Sequence, residues 1–177
     1  AQGQYTAAQL ARIDGHEALL QRIGALAKST GDAVYGIQRM PGGRVYFMQR
    51  QPGESQFKLM LHNERDGSDR VLVDVAPLAR DSGVPYAINF YKPSWDGRTL
   101  AYGVSAGGSE NASLHLMDVA TGVPLISPIP RVLDGLVNWA PDSRSLTYNQ
   151  TRELPAGAPE SETFKDSTVY WLPLGRA

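Results

Sequence analysis

The chain has 177 residues, 17 Lys+Arg against 18 Asp+Glu and a formal charge of −1, a length suited to one domain or one and a fragment. The near balance of charge argues against an electrostatic nucleic-acid binder. No apolar run approaches the ~18 residues of a membrane span, and the absence of Cys removes disulfides, thiolate metal sites and a cysteine nucleophile.

At 42% hydrophobic residues there is enough apolar mass for a core, and 18 Gly with 12 Pro favour many short strands joined by turns. The opening Ala1-Gln2-Gly3-Gln4 carries neither the basic nor the apolar region of a signal peptide. Lack of Cys fits any compartment, so cytoplasm and periplasm both stay open.

Residues 1–31 read as a helical segment. Thr6 with Gln9, and Asp14 with Glu17, have capping-box spacing. Leu10, Ile13, Leu19, Leu20, Ile23 and Leu26 then recur at helical intervals, predicting short helices over about 6–13 and 15–28 with Gly31 as a stop. Such a stripe is expected to pack on a core.

From residue 32 to 177 the period changes to two. Strands are predicted at 43–50, 57–61, 70–74, 98–104, 113–117, 145–148 and 169–172. Asp66-Gly67 and Thr121-Gly122 mark turns, and 76–80 allows at most a turn. Val45/Phe47 and Tyr46/Met48 are apolar on both faces, which suits sheets stacked between other sheets.

The strongest signal is an internal repeat. Ser94-Trp95-Asp96-Gly97-Arg98-Thr99-Leu100-Ala101-Tyr102 matches Ala140-Pro141-Asp142-Ser143-Arg144-Ser145-Leu146-Thr147-Tyr148, and Met40-Pro41-Gly42-Gly43-Arg44-Val45-Tyr46-Phe47 is a weaker copy. Asp96 and Asp142 lie 46 residues apart, and Gly42 and Asp96 lie 54 apart. A tight turn followed at once by an alternating strand, at a period of about 40–50, is the pattern of a β-propeller blade. The fold class expected is therefore mainly β: a partial β-propeller of about three antiparallel meander blades, preceded by short N-terminal helices. Closed propellers need about 4–8 blades, so ring closure is expected to require further chain, associated copies or some other cover.

The ordered set of motifs resembles the prolyl oligopeptidase family of serine peptidases over about residues 8–175. It runs from Tyr46-Phe47-Met48-Gln49-Arg50-Gln51-Pro52-Gly53-Glu54 and Val71-Leu72-Val73-Asp74 through the Trp95-Asp96-Gly97 turn to Gly107-Gly108-Ser109, Asp118-Val119-Ala120-Thr121-Gly122 and Trp139-Ala140-Pro141-Asp142. The resemblance implies a seven-bladed propeller capping an α/β-hydrolase domain that lies downstream in the same parent chain. It also implies that the parent cleaves short proline-containing peptides through a Ser/His/Asp triad.

Two departures stand out. Glu110-Asn111 occupies the place of the family's frequent Asp-Trp, and the loop Arg131-Val132-Leu133-Asp134 lacks the family's substrate-facing aromatic. The long loop at 152–166, rich in Pro, Gly and acid, is expected to be mobile. In the family its counterpart faces the domain interface and is associated with substrate access.

Gly103-Val104-Ser105-Ala106-Gly107 satisfies G-x-S-x-G, but that motif needs a strand, a sharp turn and a helix. Here a polar loop leads into another strand pattern, and no His follows Asp118. His16, His62 and His115 lack metal-pair spacing, Glu160 and Glu162 read as solvated, and the sequons at Asn111 and Asn149 as unused. The chain is therefore expected to carry no catalytic, cofactor-binding or metal residues, to bind neither nucleic acid nor membrane, and to self-associate through its open blade faces. Its expected role is a non-catalytic propeller segment gating peptide access to the downstream active site. The alternatives are a stand-alone propeller scaffold for protein–protein binding and a small independent hydrolase using Ser105.

Overall fold

A computed structural model describes residues 2–29, 31–133 and 136–175. Asp134 and the side chain of Glu160 lie outside the described residues. The chain divides into two compact units, Ala1–Ala33 with Arg50–Ser55, and Val34–Gln49 with Gln56–Ala177.

The first unit holds helices α1 (Gln2–Leu10) and α2 (His16–Ser29). Thr6 falls inside α1 rather than at its start, so the Thr6/Gln9 capping box is corrected: the helix already runs from Gln2, in spite of Gly3. Within this segment Leu19, Ile23 and Leu26 of α2 are 59%, 53% and 50% exposed.

The second unit is built of antiparallel strands. One sheet has the order β1 (Ala33–Met40), β2 (Arg44–Arg50), β3 (Lys58–Asn63) and β4 (Ser68–Val73). Its β3–β4 turn is the predicted Asp-Gly turn: Gly67 adopts φ +71°, and the Asp66 carboxylate takes hydrogen bonds from the Ser68 hydroxyl at 2.6 Å and N–H at 2.9 Å. Those bonds hold the Asp66 carboxyl below its usual pKa. Where the sequence allowed only a turn there is a helix, α3 (Ala76–Ser82). Pro77 opens it, and left-handed Gly83 closes it with a hydrogen bond to the Ala79 carbonyl.

The second sheet contains β5 (Tyr86–Pro93), β6 (Thr99–Ala106), β7 (Ala112–Asp118), β8 (Ile129–Val132), β10 (Ser145–Gln150) and β11 (Thr168–Pro173), with the short β9 (Asn138–Trp139) on β10. Four of the strands, β1, β5, β8 and β9, were not predicted. β8 pairs with both β7 and β10, which joins the second and third repeats into one continuous sheet.

The two cores lie on the two faces of the second repeat. Tyr46, Met48, Leu59 and Leu61 of the first sheet meet Ile88, Tyr91, Leu100 and Val104. On the other face Phe90, Ala101, Leu114 and Leu116 meet Val132, Trp139, Leu146 and Tyr148. A β-bulge at Asn89 makes this possible in β5: the register shift between Ile88 and Phe90 sends those residues to opposite cores.

The repeated turns are structurally equivalent. Gly97 N–H bonds Ser94 O at 2.8 Å and Ser143 N–H bonds Ala140 O at 2.9 Å. Asp96 and Asp142 each accept the N–H two residues on, at 3.0 and 2.9 Å. Gly97 and Ser143 both take the left-handed φ that an Asp-Gly-type turn requires, +67° and +60°. Each turn also touches the next repeat. Tyr46 Oη donates to Gly97 O at 3.2 Å, Asp96 N–H donates to Ser143 Oγ at 3.1 Å, and Trp139 Nε1 donates to Lys92 O at 2.9 Å.

His115 projects from β7 and stacks on Tyr102, its cross-strand partner, with ring centroids 5.0 Å apart. Burial lowers its pKa, because the imidazolium would lose water. A lowered folded-state pKa means that the unfolded chain takes the proton first as pH falls, so this contribution is intact above the unfolded value of about 6.5 and is lost below it. His115→Gln is expected to flatten the fall in melting temperature between about pH 7 and pH 5. Equal slopes in the two proteins would contradict this role.

Candidate functional site

Registry across the second sheet brings three connections to one end. Ala112 pairs with Val132, Val132 with Gln150, and Gln150 with Thr168. The β6–β7 loop, the segment after β8 and the long β10–β11 loop therefore emerge side by side. Between them lies a cavity of about 420 Å³ lined by Asn89, Glu110, Leu133, Leu136 and Phe164. A second hollow of about 350 Å³ shares Glu110 and Phe164 and adds Ser109, Asn111 and Thr163.

Each wall has a local cause. Asn89 is the bulged residue of β5; its amide donates to the Ser109 carbonyl at 3.4 Å, and its Oδ1 is buried without a hydrogen bond among the described residues. Gly107 and Gly108, at φ +64° and +76°, turn the chain out of β6 so that Glu110 reaches the rim. Leu133 follows β8 directly, on the loop where the sequence shows no aromatic. The long loop brings an aromatic side chain to this wall, Phe164, which is 57% exposed. Sequence reasoning passed over Phe164, although it is the one aromatic residue between Thr151 and Ser167.

The long loop has structure of its own. It holds a 3₁₀ turn at Glu160–Glu162 and a charge network centred on Glu162, which meets Arg152 at 3.1 Å and Lys165 at 2.5 Å. Asp166 stands 3.6 Å from Arg152, and Glu153 3.6 Å from Arg131. Partly exposed pairs of this kind contribute about 0–1 kcal/mol each, but they fix the stem of the loop on either side of Phe164.

Ser105 lies inside β6, opposite Ala87 and 4% exposed. The chain after it turns at Gly107–Gly108 and enters β7, so the strand–turn–helix that lifts a nucleophile out of a sheet is not formed there. His115 faces Tyr102, and the Asp118 carboxylate is engaged by the Thr121 N–H and hydroxyl, both at 2.8 Å, which lowers its pKa. These three side chains are not brought together. His62 pairs with Asp69 across β3 and β4 at 2.8 Å, and no group of three His, Asp or Glu is placed to hold a metal among the described residues. No helix among them is long and apolar enough to cross a membrane. Of the two sequons, Asn149 is buried within β10 and Asn111 is exposed before β7.

The profile of the prolyl oligopeptidase N-terminal β-propeller domain matches residues 1–177. Among solved structures, one from a structural and mechanistic study of two prolyl endopeptidases superposes with a TM-score of 0.79 at 23% identity, covering 98% of this chain and 25% of that one. Prolyl oligopeptidase B from Galerina marginata, bound to a 35mer hydrolysis and macrocyclization substrate, gives 0.73 at 18% identity over 99% and 26%. The same enzyme bound to a 25mer macrocyclization substrate gives 0.74 at 18% identity over 99% and 26%. The chain thus spans about a quarter of the length of the solved structures it resembles. With its repeated turns, stacked antiparallel sheets and a profile match over its whole length, the chain belongs to the prolyl oligopeptidase family and is part of that family's N-terminal β-propeller domain.

Proposed function

We propose that this segment is a non-catalytic part of a proline-specific serine peptidase, and that its loop face limits which peptides reach an α/β-hydrolase active site downstream in the parent chain. The observation that carries this is the convergence of three loops at one sheet end around an open, partly apolar cavity, with Phe164 exposed at its wall. Such a face can contact an extended peptide while obstructing a bulky folded one. The related enzyme bound to 25mer and 35mer substrates supports peptides as the substrate class.

The full-length protein should cleave a free proline-containing peptide with a kcat/KM about 100-fold or more above that for the same sequence held in a rigid folded protein, the scale of loss that poor access and positioning produce. Equal values for both substrates would remove the gating role.

The outer faces fit a segment with neighbours on both sides. Val34, Tyr35 and Ile37 on β1, and Val169 and Trp171 on β11, are between 46% and 68% exposed. In a propeller, adjoining blades cover such surfaces. A 177-residue chain prepared alone should therefore self-associate, because each 100 Å² of apolar surface withdrawn from water is worth about 2.5 kcal/mol before association entropy is counted. A monodisperse monomer in light scattering at high concentration would show that these faces do not drive association.

A further inference from the structure

The opposite end of β6 from the loop face carries another hollow, of about 300 Å³, between the first two repeats. Arg44 and Arg70 reach it from β2 and β4, and Arg98 from the repeated turn before β6. Its apolar walls are Leu61 and Val119, both buried.

Backbone carbonyls hold two of the guanidinium groups in place. Arg44 Nη1 donates to Asp96 O at 3.3 Å, and Arg70 Nη2 donates to Val119 O. Gly97 leaves room for this arrangement: a Cβ there would stand 2.9 Å from Arg44 Nη1, so the guanidinium end would have to shift, and its φ of +67° favours glycine.

Two carboxylates stand nearby: Asp118 lines the hollow and interacts electrostatically with Arg70, and Asp96 lies in the turn beside Gly97, each with its Oδ1 held by local bonds. Asp96 Oδ1 accepts from Ser94 Oγ and Arg98 N–H, and Asp118 Oδ1 accepts from Thr121. None of the three arginines forms an ion pair among the described residues. Each guanidinium carries five donors, and two of the fifteen are used. Arginine forks match the oxygens of a tetrahedral oxyanion two at a time, at roughly twice the strength of a neutral hydrogen bond.

We propose that this hollow binds a small oxyanion of the phosphate type, clamped by Arg44, Arg70 and Arg98 between the first and second repeats. Against Asp96 and Asp118 the three guanidinium groups leave an excess of one positive charge for the ligand to neutralise, and the bound ion would add to the hydrogen bonds that Arg44, Tyr46 and Arg70 already make between the two repeats.

The test is a titration of the full-length protein with inorganic phosphate, followed by ³¹P line broadening at constant ionic strength kept with chloride. Saturable binding is expected. Arg98→Gln removes an exposed guanidinium with no structural bond and should weaken binding by about tenfold or more, as loss of one charged hydrogen bond does. Gly97→Ala, which displaces the Arg44 guanidinium, should weaken it as well. No saturable binding, or binding of equal strength in the wild type and the well-folded Arg98→Gln protein, overturns the proposal.

Discussion

Trp139→Ala is expected to be the most destabilising single substitution in the second core, at about 3–5 kcal/mol from lost burial and the cavity left behind. Trp139 is 9% exposed and packs among Phe90, Leu114, Leu116 and Leu146. Its Nε1 also donates to the Lys92 carbonyl at 2.9 Å, tying the third repeat to the second. Truncation therefore leaves a backbone acceptor without its partner, adding a further cost of about 1–3 kcal/mol where water does not replace it. Trp139→Phe keeps most of the apolar volume and loses only the hydrogen bond, so it should cost clearly less than the Ala variant. In a unit of this size the Ala variant should melt on the order of 10 °C lower. Similar melting temperatures for the Ala variant and the wild type would mean that the repeats are not held together through this core.

Gly103→Ala should destabilise by about 1–3 kcal/mol through overpacking, the reverse mechanism. Gly103 pairs with Phe90 across β5 and β6, and the Phe90 ring lies directly over it. A Cβ at Gly103 would stand 2.2 Å from Phe90 Cε1 and 2.5 Å from Cζ, distances that no packing tolerates. The ring must leave, and it is 7% exposed in the second core, so its departure opens a cavity. Phe90→Leu in the same molecule should recover part of the loss, because neighbours that share one volume couple strongly. If the double variant shows the sum of the two single losses, Phe90 is not the group that Gly103 accommodates.

The repeat was legible because its chemistry is local. An Asp carboxylate that holds the second N–H after it, and a residue able to take positive φ, leave a signature four residues long. Two such turns, with the weaker Gly42-Gly43 copy before them, located the strands that follow at a blade-like spacing. The missed strands lack that local mark. β1 has Val34, Tyr35 and Ile37 exposed and only isolated half-buried positions, so its alternation reports no core. β5 contains the Asn89 bulge, which breaks the period of two in mid-strand. β9 is two residues long and exists because Trp139 meets Leu146.

The loop face was less legible still. Glu110, Leu133 and Phe164 are separated by up to 54 residues, and only the pairing of β7, β8 and β10 makes them neighbours. Helical spacing at Leu19 and Ile23 was read correctly as helix, but periodicity carries no information on what covers a stripe.

Control of access by the long loop is the central claim, and its most direct measurement is kinetic. Residues 154–162 are replaced by a short Gly-Ser turn in the full-length protein, and kcat/KM is measured for a free proline-containing peptide and for the same sequence held in a rigid folded protein. Removal of the loop should leave the free peptide within about twofold and raise the embedded sequence by about tenfold, equivalent to roughly 1.4 kcal/mol of relieved obstruction in the transition-state complex. An unchanged ratio between the two substrates, with the free peptide still cleaved normally, would contradict the account.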